Sequence, residues 1–393
     1  MTQRKVVLIC DINIRAKGHY ISYNNYLLHF IDSHNDKESI KFLFNSEAQN
    51  LLDLSKVNGE NLDFVDIDPN WYNSFYGKFK IWNKIKSIAD KKAIDLLLFM
   101  DFDQYQIPIG ISKIKFKISG ILFRPHHRIE NSKYDLPNRF KFFIKKSKKQ
   151  VLESILLHNS KINSIFILND EMGVNLLNEK HHTDKFKYLP DPIFDYEFEE
   201  INSNLHIYIN TTNRITFLIF GSISERKNIS NILIAYSRSI FKLPTHILII
   251  GPSSTEYGDY LSNLINDLDF DSQTKKVTNI NKFISEGEKE IIHKLSNISL
   301  LIYKDFYGSS GLIGRAAKHQ LPVVSSNVGL LNELVNKYGL GITVNPYSIE
   351  DISKALEKSA IEFANCSGMG FQSFYNDHSP EKFASTLLST TQL

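Results

Sequence analysis

Short runs of apolar, largely β-branched residues recur along the chain, separated by stretches in which apolar positions return every three or four residues. The runs read as buried strands of a parallel sheet, and the stretches as helices that cover it. The pattern predicts strands at Lys5–Cys10, Ile40–Phe44, Asp63–Asp66, Leu96–Asp101, Gly120–Phe123 and Ser164–Leu168 in the first half. In the second half it predicts Ile215–Phe220, His246–Ile250, Lys276–Ile280, Ser299–Tyr303, Pro322–Ser325 and Gly341–Val344. Two such sets point to an α/β protein with two doubly wound parallel sheets. The junction is expected at Tyr188-Leu-Pro-Asp-Pro-Ile193, where two prolines remove backbone donors, followed by the polar stretch Glu199–Asn213. Open parallel sheets bind ligands beyond the carboxyl ends of their strands, so the residues just after each strand are the ones to read for chemistry.

A length of 393 residues is too great for one ordinary core. With 42% hydrophobic and 23% charged residues, the chain is globular and not disordered. Lys and Arg outnumber Asp and Glu by only 46 to 43, so overall charge argues neither for nor against a nucleic-acid partner. Cys10 and Cys366 lie far apart, which indicates no disulfide framework or thiolate metal site and fits a reducing cytoplasm. The first apolar run, Val6–Cys10, leads straight into Asp11-Ile12-Asn13, unlike a signal peptide. No stretch approaches the roughly 20 apolar residues of a spanning helix, so a cytoplasmic protein with at most peripheral membrane contact is expected.

The strongest chemical signal lies in the second half. After Phe220 comes Gly221-Ser222-Ile223-Ser224-Glu225-Arg226-Lys227-Asn228, which puts two cations in what reads as an exposed strand-to-helix loop, where a phosphate would rest near helix amides. A solvated surface pair is the alternative. The predicted strand Ser299–Tyr303 leads to Tyr307-Gly308-Ser309-Ser310-Gly311 and a helix rich in small residues. Gly308 and Gly311 permit close backbone approach, Ser309 or Ser310 can cap the helix, and the amides at its start can hold a diphosphate.

Taken in order, Phe-Gly…Arg-Lys, Ile-Ile-Gly-Pro (249–252), Tyr-Gly-Ser-Ser-Gly, Leu-Pro-Val-Val-Ser-Ser, Gly-Leu-Leu-Asn-Glu-Leu-Val and Gly-Leu-Gly-Ile-Thr-Val make residues 215–356 resemble the C-terminal domain of the retaining family-four glycosyltransferases. The resemblance implies a GT-B fold, two Rossmann-like doubly wound domains facing a central cleft. It implies an acceptor-side domain at 1–190, a nucleotide-sugar donor domain at 191–370, and a C-terminal helix at 371–393 returning to the first. The donor is then a nucleoside diphosphate sugar of UDP or GDP type, with no further cofactor and no metal. The acceptor is a glycan or lipid-linked hydroxyl, and bacterial surface polysaccharide or glycoconjugate synthesis is the setting. Retention lets the leaving phosphate take the acceptor proton on the same face, so the protein's task is electrostatic.

The same resemblance implies that Lys227 grips the donor diphosphate with Arg226 as helper, and that Gly221 opens the loop. Ser222 stands where the family often has arginine. A family pair of glutamates spaced eight apart, contacting sugar and ribose, aligns with Tyr307 and Arg315. Arg315 cannot accept hydrogen bonds from ribose hydroxyls. Three explanations stay open: a changed donor with an acidic sugar, a substitute acceptor such as Asp305, or a non-catalytic GT-B partner subunit.

In the first half, Gly18 matches the family's glycine loop by position, beside the alternative of an ordinary turn. Arg124-Pro-His126-His127-Arg128 follows a predicted strand, and either His126 or His127 is the expected catalytic imidazole near the reacting carbon. A surface turn is the alternative there, and a metal site is disfavoured for want of a third ligand at suitable spacing. Asp101-Phe-Asp103 is expected to be a pair of cleft-facing loop residues and not a metal motif. Arg139–Lys149 carries six basic residues among Phe140, Phe142, Phe143 and Ile144, fitting an anionic membrane or a solvated helix with one buried face, with no nucleic-acid module in evidence. A nicotinamide oxidoreductase is disfavoured because no Gly-x-Gly-x-x-Gly follows the first strand.

Overall fold

The structure, a computed structural model, describes residues 5–15, 20–33, 39–55, 57–128, 136–195, 213–271, 273–363 and 370–390. The chain divides into two compact units, Met1–Pro192 together with Ser379–Leu393, and Ile193–His378.

Among the described residues the first unit holds seven strands, β1 (Val7–Asp11), β2 (Ile40–Asn45), β3 (Leu62–Val65), β4 (Leu96–Phe99), β5 (Lys117–Ile121), β6 (Ile162–Leu168) and β7 (Phe186–Leu189). They lie in the order β3-β2-β1-β4-β5-β6-β7, all parallel. Every residue of β1 and β4 is buried, which is why both read as unbroken apolar runs and not as alternating ones. Covering helices supply the other layer. In Phe75–Lys91, Ser74 caps the Gly77 amide, and Ile81, Trp82, Ile85 and Ala89 recur at helical spacing and are buried. Trp82 also donates to Ser112 Oγ at 2.7 Å, so its one polar atom is satisfied inside the core.

The second unit repeats the scheme with β8 (Ile215–Phe220), β9 (Thr245–Ile250), β10 (Lys275–Ile280), β11 (Ile298–Leu301), β12 (Val323–Ser326) and β13 (Gly341–Val344). Their order is β10-β9-β8-β11-β12-β13, again parallel. The chain reverses its direction across the sheet between β8 and β11, so the loops leaving these two strands flank the topological switch point, where open sheets take their ligands.

Twelve strands fall where the apolar pattern predicts them, within a few residues. The thirteenth, β7, is Phe-Lys-Tyr-Leu, an edge strand with Lys187 exposed, and has no apolar run to announce it. The C-terminal return starts later than the expected residue 371. Phe371 and Phe374 are buried in the second unit, with Phe374 edge-on to Tyr338 at 4.9 Å between ring centroids. Helix Pro380–Ser389 packs in the first unit, its Phe383 ring 4.8 Å from Tyr23. No helix among the described residues is long and apolar enough to cross a membrane.

Candidate functional site

In the second unit the chain leaves β8 through Gly221, whose φ of +98° is the left-handed conformation that glycine adopts without strain. A single 3₁₀ turn, Glu225–Lys227, follows, then Asn228 at φ +59° and helix Ile229–Arg238. Asn228 is locked by donating to Pro346 O at 2.6 Å. This turn directs the two cations differently. Arg226 is exposed and lies over the rings of Tyr303 and Phe306, at 5.0 and 4.7 Å from their centroids. Lys227 points inward, is only 3% exposed, and donates to Phe220 O with its ammonium 5.1 Å from the Tyr303 ring. The expectation of an exposed loop therefore holds for Arg226 and fails for Lys227. Burial, reinforced by the charge on Arg226, pulls the Lys227 ammonium down to about 7.

The loop after β11 carries the other half. Tyr303 donates or accepts across 3.3 Å with Ser310 Oγ, so that hydroxyl is turned to the ring. Ser310 stands at the N-cap of helix Gly311–Lys318 with no side-chain capping bond. This corrects the expectation for Ser310: its side chain does not cap, and it is its carbonyl that accepts the Ile313 amide at 3.0 Å. A Cβ on Gly311 would meet nothing within 4 Å, so packing does not demand glycine there and the space above the helix start is open. Tyr307 is half-buried and its carbonyl receives Leu330 N at 3.1 Å; Gly329, at φ +69°, is the residue that lets the next helix approach so closely. Gly308 and Ser222 are exposed, and Ser309 half-buried.

Arg315 does not face this space unpaired. Its guanidinium holds Glu286 Oε2 at 2.5 Å and Glu290 Oε1 at 3.3 Å, both from helix Glu286–Lys294. Glu290 also binds Lys318 at 3.0 Å and His319 at 2.9 Å. Burial alone would raise Glu290, but its contacts with His319 and Lys318 outweigh that and leave it at about 2. The charge on Arg315 is met within the unit by Glu286 and Glu290. Asp305, the candidate substitute acceptor, takes the Tyr347 hydroxyl at 2.9 Å.

The first unit gathers its own polar residues at the ends of adjacent strands. Asp101, 3% exposed, accepts from Asn13 Nδ2 at 3.2 Å and from Tyr20 at 3.4 Å. Asp103 accepts the Phe123 amide at 2.9 Å and pairs with Arg124 at 2.9 Å. Both carboxylates are engaged within the unit. Asp11 is buried beside them and pushed up to about 7, chiefly by burial, against the lowering bonds of Asn24 and Asn13.

Neither imidazole of the pair is open. His126 is 1% exposed, its Nδ1 against Glu153 and its Nε2 2.9 Å from Lys180 Nζ. His127 Nε2 lies 2.7 Å from Asp170, which also binds Arg128 and caps helix Glu171–His181. The Nδ1 of His127 is the ring nitrogen of the two residues that has no hydrogen-bond partner among the described residues. Gly18 and the side chains of Arg139 and Phe142 lie outside the described residues. Within helix Leu136–His158, Phe140, Phe143 and Ile144 are 70%, 59% and 50% exposed, whereas Lys149 is drawn back to the Arg124 carbonyl.

No protein-family model matches the chain and no curated protein sequence matches it. Solved structures do match over their whole length. Sucrose-phosphate synthase from Thermosynechococcus elongatus superposes with a TM-score of 0.71 at 12% identity, covering 99% of this chain and 98% of its own. The fold is GT-B. Other GT-B structures similar to it include Anabaena HepE in complex with UDP and glucose, at TM-score 0.59, 12% identity and 99% and 98% coverage. WaaG, a glycosyltransferase involved in lipopolysaccharide biosynthesis, matches at TM-score 0.60, 11% identity and 97% and 99% coverage. With identities this low the GT-B likeness speaks for architecture, and the chemistry rests on the residues above. Sequence reasoning missed the Tyr303 and Phe306 rings, although their place after β11 was a usable signal. It also missed Glu153, Asp170, Glu286 and Glu290, which reach their partners only through folding.

Proposed function

We propose that the protein is a glycosyltransferase that moves a sugar from a nucleoside diphosphate sugar, of UDP or GDP type, to a hydroxyl of a glycan or lipid-linked acceptor with retention. The setting that suits it is bacterial surface polysaccharide or glycoconjugate assembly on the cytoplasmic face of a membrane. The observation that carries this reading is Lys227, a buried ammonium at the switch point of the second sheet, with Arg226 and the open start of helix Gly311–Lys318 on the neighbouring strand's loop. In this proposal Arg226, Lys227 and the amides of Gly308–Gly311 hold the diphosphate, Gly221 and Ser222 let it approach, and the Tyr307 hydroxyl faces the sugar. The bond between the anomeric carbon and the phosphate oxygen breaks, a bond to the acceptor oxygen forms, and the acceptor proton passes to the departing diphosphate. As that group gains charge, a fixed ammonium stabilises the transition state more than the ground state, with no metal at the reacting centre.

Exposed Phe140, Phe143 and Ile144 beside Lys145 and Lys148 support contact with an anionic membrane that presents the acceptor. A second reading, a nucleotide-binding partner subunit without turnover, draws on one observation: where the family has a ribose-binding carboxylate, Arg315 is tied into an ion cluster. Calorimetric titration with UDP and GDP, followed by transfer assays with the sugar nucleotides of whichever base binds, tests both. Lys227→Ala is expected to lower turnover on the order of 10²–10³-fold, and Arg226→Ala less. Turnover unchanged in Lys227→Ala overturns the assignment, and binding without turnover across donors and acceptors selects the partner-subunit reading.

A further inference from the structure

Three side chains that are 27 and 28 residues apart in sequence meet inside the first unit. His126 comes from the loop after β5, Glu153 from helix Leu136–His158, and His181 from the last turn of helix Glu171–His181. Their potential ligand atoms all lie within 4.8 Å of one another. The side chains of His126 and Glu153 are 1% and 2% exposed, and that of His181 10%. His181 Nε2 is buried 3.7 Å from Glu153 Oε2, beyond hydrogen-bond reach, and has no hydrogen-bond partner among the described residues. A buried imidazole nitrogen left unsatisfied is a loss that a bound cation removes.

We infer that His126 Nδ1, Glu153 Oε2 and His181 Nε2 form a binding site for a zinc-class divalent metal that ties the loop after β5 to the two helices. The donor set of two imidazoles and one carboxylate suits zinc and its neighbours, whereas magnesium and calcium take oxygen. Zinc bonds of 2.0–2.2 Å place tetrahedral ligand atoms about 3.3 Å apart. The His181–Glu153 separation is already near that value. The His126–Glu153 contact must open to admit the ion, a rotation that the second carboxylate oxygen can anchor, since Glu153 Oε1 accepts the His126 amide at 2.8 Å.

Lys180 gives the site a distinguishing property. Its ammonium stands 2.9 Å from His126 Nε2, so that nitrogen accepts and the ring proton sits on Nδ1, toward Glu153. Metal at Nδ1 moves the ring proton to Nε2, where the ammonium repels both it and the ion. Lys180 is an exposed residue of the helix and can swing into solvent. It therefore opposes the metal, and its removal strengthens binding.

The test uses the full, untagged chain freed of metal, titrated with Zn²⁺ against a chromophoric chelator and with Co²⁺ by visible absorption. One equivalent is expected to bind the wild-type protein, with the intense band of four-coordinate Co²⁺. His181→Ala and Glu153→Gln are expected to weaken binding at least tenfold, and Lys180→Met to strengthen it by about tenfold through loss of a like charge. Circular dichroism checks that each variant is folded. Because Lys180 is exposed, Lys180→Met keeps the test decisive if a buried variant unfolds. No stoichiometric metal in the wild-type chain, equal affinity in a folded His181→Ala, or weaker binding in Lys180→Met each overturns the inference.

Discussion

Replacing Lys227 by Met is expected to make the protein more stable and worse at binding the nucleotide proposed as its donor. The Lys227 ammonium falls from an ordinary 10.5 to about 7 in the folded state, through burial and then the charge on Arg226. A lowered lysine binds its proton less well folded than unfolded, so stability rises with pH between about 7 and 10.5 and is lowest below 7. At about 1.4 kcal/mol per pH unit, the charged lysine lowers stability at pH 7 by about 4 kcal/mol. Methionine removes that term but leaves Phe220 O without its donor, a loss of about 1–3 kcal/mol. The net expectation is a gain of about 2 kcal/mol at pH 7 that disappears near pH 10. Bound diphosphate restores the ammonium's charge, so nucleotide affinity in the wild-type protein is expected to fall nearly tenfold per pH unit above 7, to about 50-fold by pH 9. Lys227→Met should be weak at every pH and show no such slope. Denaturant unfolding at pH 7 and 10 and calorimetry with UDP and GDP at pH 7 and 9 measure both halves. If Lys227→Met is less stable than wild type at pH 7 while nucleotide affinity is unchanged, the burial argument and the donor assignment are both wrong.

Arg315→Glu sets a third carboxylate beside Glu286 and Glu290 and is expected to destabilise the second unit by about 3 kcal/mol, read as a shift in denaturant midpoint; an unchanged midpoint refutes the ion-cluster account. Glu290→Gln should be less stable than wild type at neutral pH, with the gap closing as acid takes Glu290 from its ordinary 4.5 through about 2; a gap that persists at pH 2 removes the charge as its cause. Lys145→Gln with Lys148→Gln should weaken sedimentation with phosphatidylserine-containing vesicles at low salt by about 1 kcal/mol per charge, whereas vesicle binding that survives these changes and also Phe143→Ser discards the membrane face. Asp11→Asn is expected to stabilise the first unit at pH 8, because a carboxyl raised from 3.8 to about 7 loses folding stability as pH climbs through that window. Equal stability of Asp11→Asn and wild type at pH 8 and pH 4 contradicts it.

Both sheets were legible in the sequence because parallel strands buried on two faces leave unbroken apolar runs, as Val-Leu-Ile-Cys in β1 and Ile-Thr-Phe-Leu-Ile-Phe in β8 do. The edge strand β7 left no such trace. Spacing along the chain also placed Arg226 and Lys227 after the right strand. Which cation turns inward was not legible, since that follows from the 3₁₀ turn and the left-handed Asn228, neither of which has a residue pattern of its own. The imidazole pair shows the same limit. His126 and His127 are adjacent in sequence yet face different carboxylates, Glu153 and Asp170, which belong to helices 27 and 43 residues downstream. Local sequence can nominate a titratable side chain, but its partner, and so its chemistry, is a long-range property.

The two units use buried charge in opposite ways. In the ion cluster of the second unit, Glu290 holds Arg315, Lys318 and His319, so each charge has a partner and the carboxylate stays ionised far below neutral pH. Lys227, in the turn after β8, has only a carbonyl and a ring face and no carboxylate within salt-bridge distance among the described residues. A structural lysine buried at a strand end gains from an acidic neighbour or from replacement by an apolar residue. One kept there without a counter-ion, beside a second cation and an open helix start, lowers stability unless an anion arrives to complete it. That unmet positive charge distinguishes the switch-point loops of the second sheet from the first unit, where the strand-end carboxylates are already hydrogen-bonded. The proposal that the second unit binds the donor therefore has electrostatic grounds that stand apart from any likeness of fold.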